Sequence, residues 1–324
     1  MERTGRKRRA IIDYRVGLPF TKTLDVPGEV IRMGYALLVG NGINRVSASG
    51  PSWRNIIDEI AKEVNQSQVL KRLDVKPFTL AFEELILLAE RQGKRRIEVE
   101  RLVAEQIQKL EASEYHKRVM TLGTQHVLTT NYDYALELAI DRAHSEGGYK
   151  VLPKYNVFRH RTAGDIKVWH IHGEAAYPRS LILGYDNYTG TVQKMRQYIK
   201  SSAGYHGLRS PFRRGTYNFD KDGTNYSWID VFLRDDIHIV GFGLEYIEID
   251  LWWLIYYKAD LEKRKKNVGK TLYYRFTKEK SSLDELGKLD LLKALGVEVH
   301  EINVKDGYKP AWDRLLTVIE KRVR

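Results

Sequence analysis

Tyr35-Ala-Leu-Leu-Val-Gly-Asn-Gly-Ile-Asn44 is the stretch on which the fold depends. An apolar run suited to a buried β-strand ends abruptly in Gly40-Asn41-Gly42, and an amphipathic helical pattern begins near Trp53. In α/β proteins such a turn is where backbone N–H groups approach the phosphates of a nucleotide, because glycine has no Cβ in the way. Two glycines around an asparagine also occur in ordinary turns, so the loop alone leaves both interpretations open.

Five further β-patterns follow, most of them separated by helical patterns. Strands are predicted near residues 36, 126, 167, 237, 272 and 298, and helices over residues 53–65, 78–90, 95–111, 134–144, 188–199, 248–264, 282–295 and 311–322. This alternation predicts the α/β class, with a Rossmann-like, doubly wound parallel sheet and inserted, mainly helical segments.

The predicted domain organisation has two parts. Residues 1–34 form a basic N-terminal arm and an irregular lead-in, and residues 35–324 form the sheet domain. Helical insertions are expected at about 65–117 and 186–230, because the strand–helix rhythm is interrupted there.

Composition limits the chemistry. The 324 residues include no cysteine, which excludes disulfides, a cysteine nucleophile and thiolate zinc sites. No apolar run approaches the roughly 18 to 20 residues of a membrane helix, and no secretory signal pattern is seen, so we expect a cytoplasmic protein without membrane contact. The net charge of +12 favours polyanions. The basic cluster at residues 6–9 is either a solvated arm or a contact for nucleic acid or an acidic partner.

Three predicted strands end in glycine or polar residues. These ends are Gly40-Asn-Gly42, Thr129-Thr-Asn-Tyr-Asp133 and His170-Ile-His-Gly173. Ligands of doubly wound sheets bind at the carboxyl edge of the strands, so the three ends are expected to converge on one pocket.

In this order along the chain, the three ends resemble the sirtuin family, with its GAG-type loop, TQN-I-D motif and histidine–glycine pair. Gly241-Phe-Gly243 is similar to the family's GTS-type adenosine loop, and Ile302-Asn303 to its terminal IN motif. The resemblance covers roughly residues 35–305. Leu181-Ile-Leu-Gly-Tyr-Asp-Asn-Tyr188 is similar to a segment of bacterial sirtuin-like NADases of antiphage defence, rather than of deacetylases.

The sequence also departs from the deacetylase pattern. The four-cysteine zinc ribbon that usually lies between the histidine–glycine pair and the GTS loop is absent, which argues against clamping an acyl-lysine. The first motif reads GNG-I-N, so Asn41 and Asn44 bring polar amides near the dinucleotide. Thr130 replaces the usual glutamine.

The resemblance implies a role for each matched residue. Asn131 would hold the attacking water or the nicotinamide ribose, and His172 would be the base, since an imidazole titrates near neutrality. Asp133 would bind the ribose or the carboxamide. The predicted NAD-binding residues are Gly40, Asn41, Gly42, Asn44, Thr130, Asp133, Gly241, Gly243 and Asn303.

Structural interpretations compete with these roles. A histidine at a strand end is often structural, and Asn131 could cap the following helix. His170 and His172 share a face of a regular strand and could both reach one metal ion, but no third ligand stands nearby in sequence, so no metal is predicted.

The functional expectation is an NAD glycohydrolase that releases nicotinamide and ADP-ribose, acting as a bacterial antiphage effector. We expect a homo-oligomer activated by assembly or by a partner such as a ring-shaped ATPase of the DNA-translocase type, with nucleic acid as a further partner of the basic arm. The alternatives are a sirtuin-like deacylase or ADP-ribosyltransferase, and a non-catalytic nucleotide-binding scaffold.

Overall fold

The computed structural model describes residues 34–46, 52–147, 154–200, 226–277 and 281–323. The predicted arm and lead-in therefore lie outside the described residues, except for Gly34. Residues 201–225 of the second predicted insertion lie outside them too. The described residues all belong to one unit, Met33–Arg324.

One sheet organises the described chain. Its strands are β1 (Tyr35–Val39), β2 (His126–Thr129), β3 (Ser145–Gly147), β4 (His160–Ala163), β5 (Ile166–His170), β6 (Asp236–Val240), β7 (Thr271–Thr277) and β8 (Glu298–Asn303), in the spatial order β3-β4-β5-β2-β1-β6-β7-β8. The strands from β5 to β8 in that order pair in parallel, and β3 and β4 add an antiparallel edge. The parallel part has the strand order of a Rossmann sheet, with the reversal between β1 and β6.

The six predicted strands are confirmed, and so is the α/β fold class. The strands β3 and β4 were not predicted, because Ser-Glu-Gly and His-Arg-Thr-Ala lack the apolar, β-branched run that marks β2.

Helices cover both faces of this sheet. They are α1 (Gly42–Val46), α2 (Trp53–Glu63), α3 (Phe78–Arg91), α4 (Arg96–Ile107), α5 (Glu114–Met120), α6 (Ala135–Leu138), α7 (Tyr185–Lys200), α8 (Trp228–Arg234), α9 (Ile249–Lys263), α10 (Leu283–Ala294) and α11 (Tyr308–Val323). Seven of the predicted helices are found with shifted ends. The short α1, α5 and α8 were not predicted.

The prediction of a helix over residues 134–144 is wrong, because α6 stops at Leu138. Leu138 and Ile140 are 39% and 37% exposed, so no apolar face continues into the core. The N–H groups of Ile140 and Asp141 both bond to the carbonyl of Glu137, and the chain turns away.

Alternate strand residues point to opposite faces and build two core clusters. Leu38, Trp169 and Ile239 pack toward α7, α8, α9 and α10, whereas Val39 and Val168 pack toward α1, α5 and α11. A third cluster joins α2, α3 and α4 to the loops that follow β2 and β5. The described residues of the predicted insertions at about 65–117 and 186–230 thus contribute to the core. That these segments are insertions stays a prediction. Within the described chain, no helix has the length and hydropathy needed to cross a bilayer.

Candidate active site

A cleft opens at the carboxyl ends of β1, β2, β5 and β6, around the reversal in strand order. It consists of two adjoining cavities of about 430 Å³ and about 290 Å³. The residues that line both cavities are Gly42, Arg45, Gly241, Phe242, Gly243 and Glu245. A ligand longer than either cavity, such as a dinucleotide, can therefore lie across the two glycine loops.

The glycines permit these loops to cross at backbone contact. The N–H of Gly42 donates to the carbonyl of Gly241 at 2.7 Å, and a Cβ on Gly42 would lie 2.6 Å from that oxygen. A Cβ on Gly40 would lie 2.5 Å from the Phe242 ring, and Gly241 has a φ of +60°. A Cβ on Gly243 would meet only the flexible Glu245 side chain. Gly40, Gly42 and Gly241 therefore have a packing reason to be glycine, and Gly243 has a weaker one.

Asn44 is the centre of a buried hydrogen-bond network beneath the first loop. Its Nδ2 donates to Asn41 Oδ1 and to Asp133 Oδ2, both at 2.9 Å. Burial raises the pKa of Asp133, although hydrogen bonds from Asn44 and from the Ala135 N–H oppose the rise. Asn44 therefore orients Asn41, which lines the cleft, and links the first motif to the second.

His116 on α5 completes this network. The Ser113 N–H donates to its Nδ1, so Nε2 carries the proton and donates to Asn44 Oδ1 at 2.9 Å. Burial lowers the pKa of His116 to about 4, so the ring is neutral at pH 7. Because the tautomer is determined by Ser113, the orientation of the Asn44 amide is determined too.

The imidazole of His172 is held by a carboxylate from the opposite half of the sheet. Its Nε2 lies 2.8 Å from Asp250 Oδ2 in the first turn of α9, and the two side chains are 2% and 0% exposed. An ionised carboxylate only accepts, so Nε2 donates, and in the neutral imidazole Nδ1 then keeps its lone pair. Within the described chain Nδ1 has no protein hydrogen bond, and His172 lines the larger cavity. This is the geometry of a base whose tautomer is set by a second residue.

His170 has a different task, because both of its nitrogens are engaged. Nδ1 donates to the carbonyl of Asn131 at 3.0 Å, and Nε2 donates to Glu137 Oε1 at 2.6 Å. Burial disfavours the charged ring, but the Glu137 charge and the two hydrogen bonds outweigh it and raise the pKa of His170. His170 therefore anchors the backbone of the second motif.

Asn131 is 5% exposed and keeps an unused donor. Its N–H bonds to the Thr129 hydroxyl at 3.0 Å, and within the described residues its side-chain Nδ2 has no hydrogen-bond partner. A buried amide donor without a partner costs free energy unless a ligand or water completes it. Its chain neighbours Thr130 and Tyr132 line the larger cavity.

Aromatic rings contribute to the lining of the larger cavity. Trp53 packs at 5.3 Å from Tyr132 and 5.5 Å from Phe78, and the Tyr188 ring lies edge-on to His172 at 5.3 Å. The half-buried Glu248 lines the same cavity, and burial, followed by the nearby Asp250 charge, raises its pKa well above the ordinary value. The larger cavity thus offers flat apolar surfaces beside the imidazole.

The smaller cavity lies between β7, α10 and α11. Two of its cations are paired: Arg275 binds Glu301 at 2.9 Å, and the Lys288 Nζ binds the Gly243 carbonyl and Glu245 at 3.1 and 3.2 Å. The third, the exposed Arg45, makes no hydrogen bond or ion pair among the described residues. Arg45 lines the larger cavity as well, so this cation lies where the two cavities adjoin.

The structure brings most of the predicted site residues together. The residues that line the cleft are Asn41, Gly42, Thr130, His172, Gly241 and Gly243, and those directly behind its lining are Gly40, Asn44, Asn131 and Asp133. Asn303 is exposed at the end of β8 and lines neither cavity; its Oδ1 accepts from the Lys305 N–H. The functional roles of all eleven stay predictions.

Sequence reasoning missed Asp250, His116 and Glu137. Asp250 lies in a helix 78 positions from His172, and only the sheet topology brings them together. His170 and His172 hold different carboxylates, Glu137 and Asp250. In the described part of the chain no group of three or more metal-ligating side chains is found.

Comparison with known proteins finds similarity over part of the chain. Residues 125–221, which include Asn131 and His172, match the family model of the SIR2-like domain. The chain is 28% identical over 185 residues to the NAD(+) hydrolase ThsA of Bacillus cereus (strain MSX-D12). The alignment covers 56% of this chain and 36% of that relative, so the chain matches about a third of the relative's length.

Proposed function

We propose that the chain is a sirtuin-like NAD⁺ glycohydrolase that splits NAD⁺ into nicotinamide and ADP-ribose, a proposal supported by the match of residues 125–221 to the SIR2-like domain. The observation that carries the proposal is the His172–Asp250 pair. Asp250 holds Nε2 of His172, and the imidazole lines a cleft beside crossed glycine loops. NAD⁺ is the substrate, and no metal is assigned to the reaction.

In the proposed reaction the bond between ribose C1′ and the nicotinamide nitrogen breaks, and its electron pair leaves with neutral nicotinamide. Positive charge builds on the ribose, and a water oxygen bonds to C1′ while its proton moves to Nδ1 of His172. Asp250 stabilises the imidazolium that forms.

Asn131 is proposed to position the water or the ribose through its unused Nδ2 donor. Trp53, Phe78 and Tyr132 offer the nicotinamide ring apolar surfaces. The pyrophosphate is proposed to lie at the crossed loops with the Asn41 amide, and the adenosine in the smaller cavity. This orientation follows the family resemblance of Gly241-Phe-Gly243.

The test is to incubate the full chain with NAD⁺ and quantify nicotinamide, ADP-ribose and modified protein by chromatography and mass spectrometry. We expect free ADP-ribose in equal amount to nicotinamide, and loss of both in His172→Ala and Asn131→Ala. The exposed Lys117→Ala serves as the control. Turnover that persists in both folded variants would show that the site is assigned wrongly, and ADP-ribosylated protein would favour the transferase.

The biological role is a further proposal that rests on the resemblance alone. The enzyme would act in the bacterial cytoplasm as an antiphage effector that depletes NAD⁺. It would assemble as a homo-oligomer and be activated by assembly or by a ring-shaped ATPase. Light scattering of the chain alone and with the candidate ATPase tests the assembly, and the nicotinamide assay on the same samples tests the activation.

A further inference from the structure

A separate cavity, outside the cleft, is lined by positively charged side chains. It has a volume of about 490 Å³ and shares no lining residue with either cavity of the cleft. The lining residues are Arg96, Ile97, Glu100, Lys154, Tyr155, Arg179 and Lys194. Four cationic side chains therefore face one carboxylate.

Ion pairs compensate only part of this charge. Lys154 Nζ reaches the buried Glu100 only at 3.4 Å. Arg96 donates through Nη2 to Glu83 behind the cavity, and within the described chain its Nη1 has no partner. The exposed Arg179 makes no hydrogen bond or ion pair among the described residues. Converging like charges repel one another, and an anion in the cavity would remove that cost.

The rest of the wall suits a small organic anion. The volume lies in the range of about 300 to 1,000 Å³ that is typical of small-molecule pockets, which exceeds what a single phosphate needs. Tyr155 and Ile97 supply apolar surface beside the cations. Tyr155 is held at a φ of +61°, a left-handed conformation that a tyrosine rarely adopts and that clusters at ligand sites.

The cavity also touches the segment that carries the proposed base. Arg179 lies in the turn Pro178–Ser180, and a Cβ on Gly173 would collide with the Ser180 carbonyl. Two residues after the turn, the Ile182 N–H donates to the His172 carbonyl at 2.9 Å. An anion bridging Arg96 on α4 and Arg179 on the turn would restrain this segment.

We propose that this cavity binds a small phosphate-bearing molecule, and that the bound ligand restrains the turn Pro178–Ser180 behind His172. Arg96, Lys154, Arg179 and Lys194 contact the phosphates, and Tyr155 and Ile97 contact the remainder of the ligand. The site is separate from the proposed NAD⁺ cleft and does not depend on NAD⁺ cleavage.

Calorimetric titration of the full chain with inorganic pyrophosphate and with ATP at low ionic strength tests the proposal. We expect saturable binding that weakens by about tenfold or more in the double variant Arg179→Gln, Lys194→Gln. The double variant Lys263→Gln, Lys321→Gln removes the same charge from exposed positions elsewhere and should bind as the unmodified chain does. Equal affinity for the two probes assigns recognition to the phosphates, and tighter ATP binding assigns part of it to the nucleoside.

Hydrogen exchange provides the second measurement. Pyrophosphate should slow exchange of the amides of residues 179–182 in the unmodified chain and not in the Arg179→Gln, Lys194→Gln variant. Binding that is equal in both double variants, or no change in exchange, overturns the proposal. Binding of a single-stranded oligonucleotide without binding of either small probe overturns it in favour of a nucleic-acid contact. Because neither readout measures NAD⁺ cleavage, failure of the proposed activity would leave this result interpretable.

Discussion

Replacing Asp250 with asparagine tests whether a carboxylate orients the base. The substitution preserves the shape of the side chain but removes its charge, and the new amide can donate to His172 Nε2. That hydrogen bond would place the ring proton on Nδ1, which is the wrong tautomer for a base in the cleft. The Asp250 Oδ1 has no partner in the described chain, so the exchange breaks no other hydrogen bond there.

The expected loss can be worked from the geometry. With Nε2 and Oδ2 2.8 Å apart, the charge centres lie about 4 Å apart, and at an effective dielectric of about 20 their attraction is about 4 kcal/mol. An imidazolium forms only in the reaction, so this energy acts on the barrier and corresponds to about a 10³-fold lower kcat. KM should change little, since Asp250 does not line the cleft.

Nicotinamide release at varied NAD⁺ concentration measures kcat and KM separately. Asp260→Asn on the same helix is the matched control, because among the described residues Asp260 forms an ion pair only with the exposed Arg264. Thermal melting verifies that both variants are folded. If folded Asp250→Asn keeps its kcat within about tenfold of the unmodified enzyme, Asp250 does not orient the base and the reasoning is refuted.

Three further predictions concern stability, measured by chemical denaturation. Gly42→Ala should destabilise the fold by about 1–3 kcal/mol, because the new Cβ meets the Gly241 carbonyl. Gly243→Ala should be nearly neutral, and equal losses in the two variants would contradict the close crossing of the two glycine loops. His116 is buried and its pKa is lowered to about 4, so the unfolded chain binds this proton first as the pH falls. The free energy of unfolding should therefore fall by about 3 kcal/mol between pH 6.5 and 4, and it should fall by less in His116→Gln. Lys258→Met should cost about 3–5 kcal/mol, because the buried Nζ donates to three backbone carbonyls at 2.8, 2.9 and 3.1 Å; an unchanged denaturation midpoint would contradict that role.

Local sequence patterns were sufficient to predict the parallel strands and insufficient to predict the antiparallel edge strands β3 and β4. The six predicted strands have apolar runs bounded by turn residues, and such runs are recognisable without knowledge of their neighbours. The helix over 134–144 failed because an apolar pattern does not reveal whether a core exists to bury it. Leu138 and Ile140 face outward, so the pattern there was misleading.

The sequence also indicated which motifs belong to the site, but not which contacts their side chains make. Gly40-Asn41-Gly42 and His172-Gly173 were recognisable as site elements, and their glycines have backbone reasons that a sequence can display. The two asparagines of the first motif were predicted to contact the dinucleotide. The structure shows that the Asn44 amide bonds to Asn41, Asp133 and His116 and that Asn41 lines the cleft, and the role of both asparagines toward the dinucleotide stays a prediction.

The sequence by itself determined the fold class, the carboxyl edge at which a ligand would bind, and the order of the motifs along that edge. These properties follow from short-range periodicity and from the rule that parallel strands present their ends at one edge. Only the tertiary structure decided that Asp250 holds His172, that His170 anchors Asn131, and that four cations surround a separate cavity. Such contacts join residues far apart in the chain, and they exist only once packing has brought the elements together.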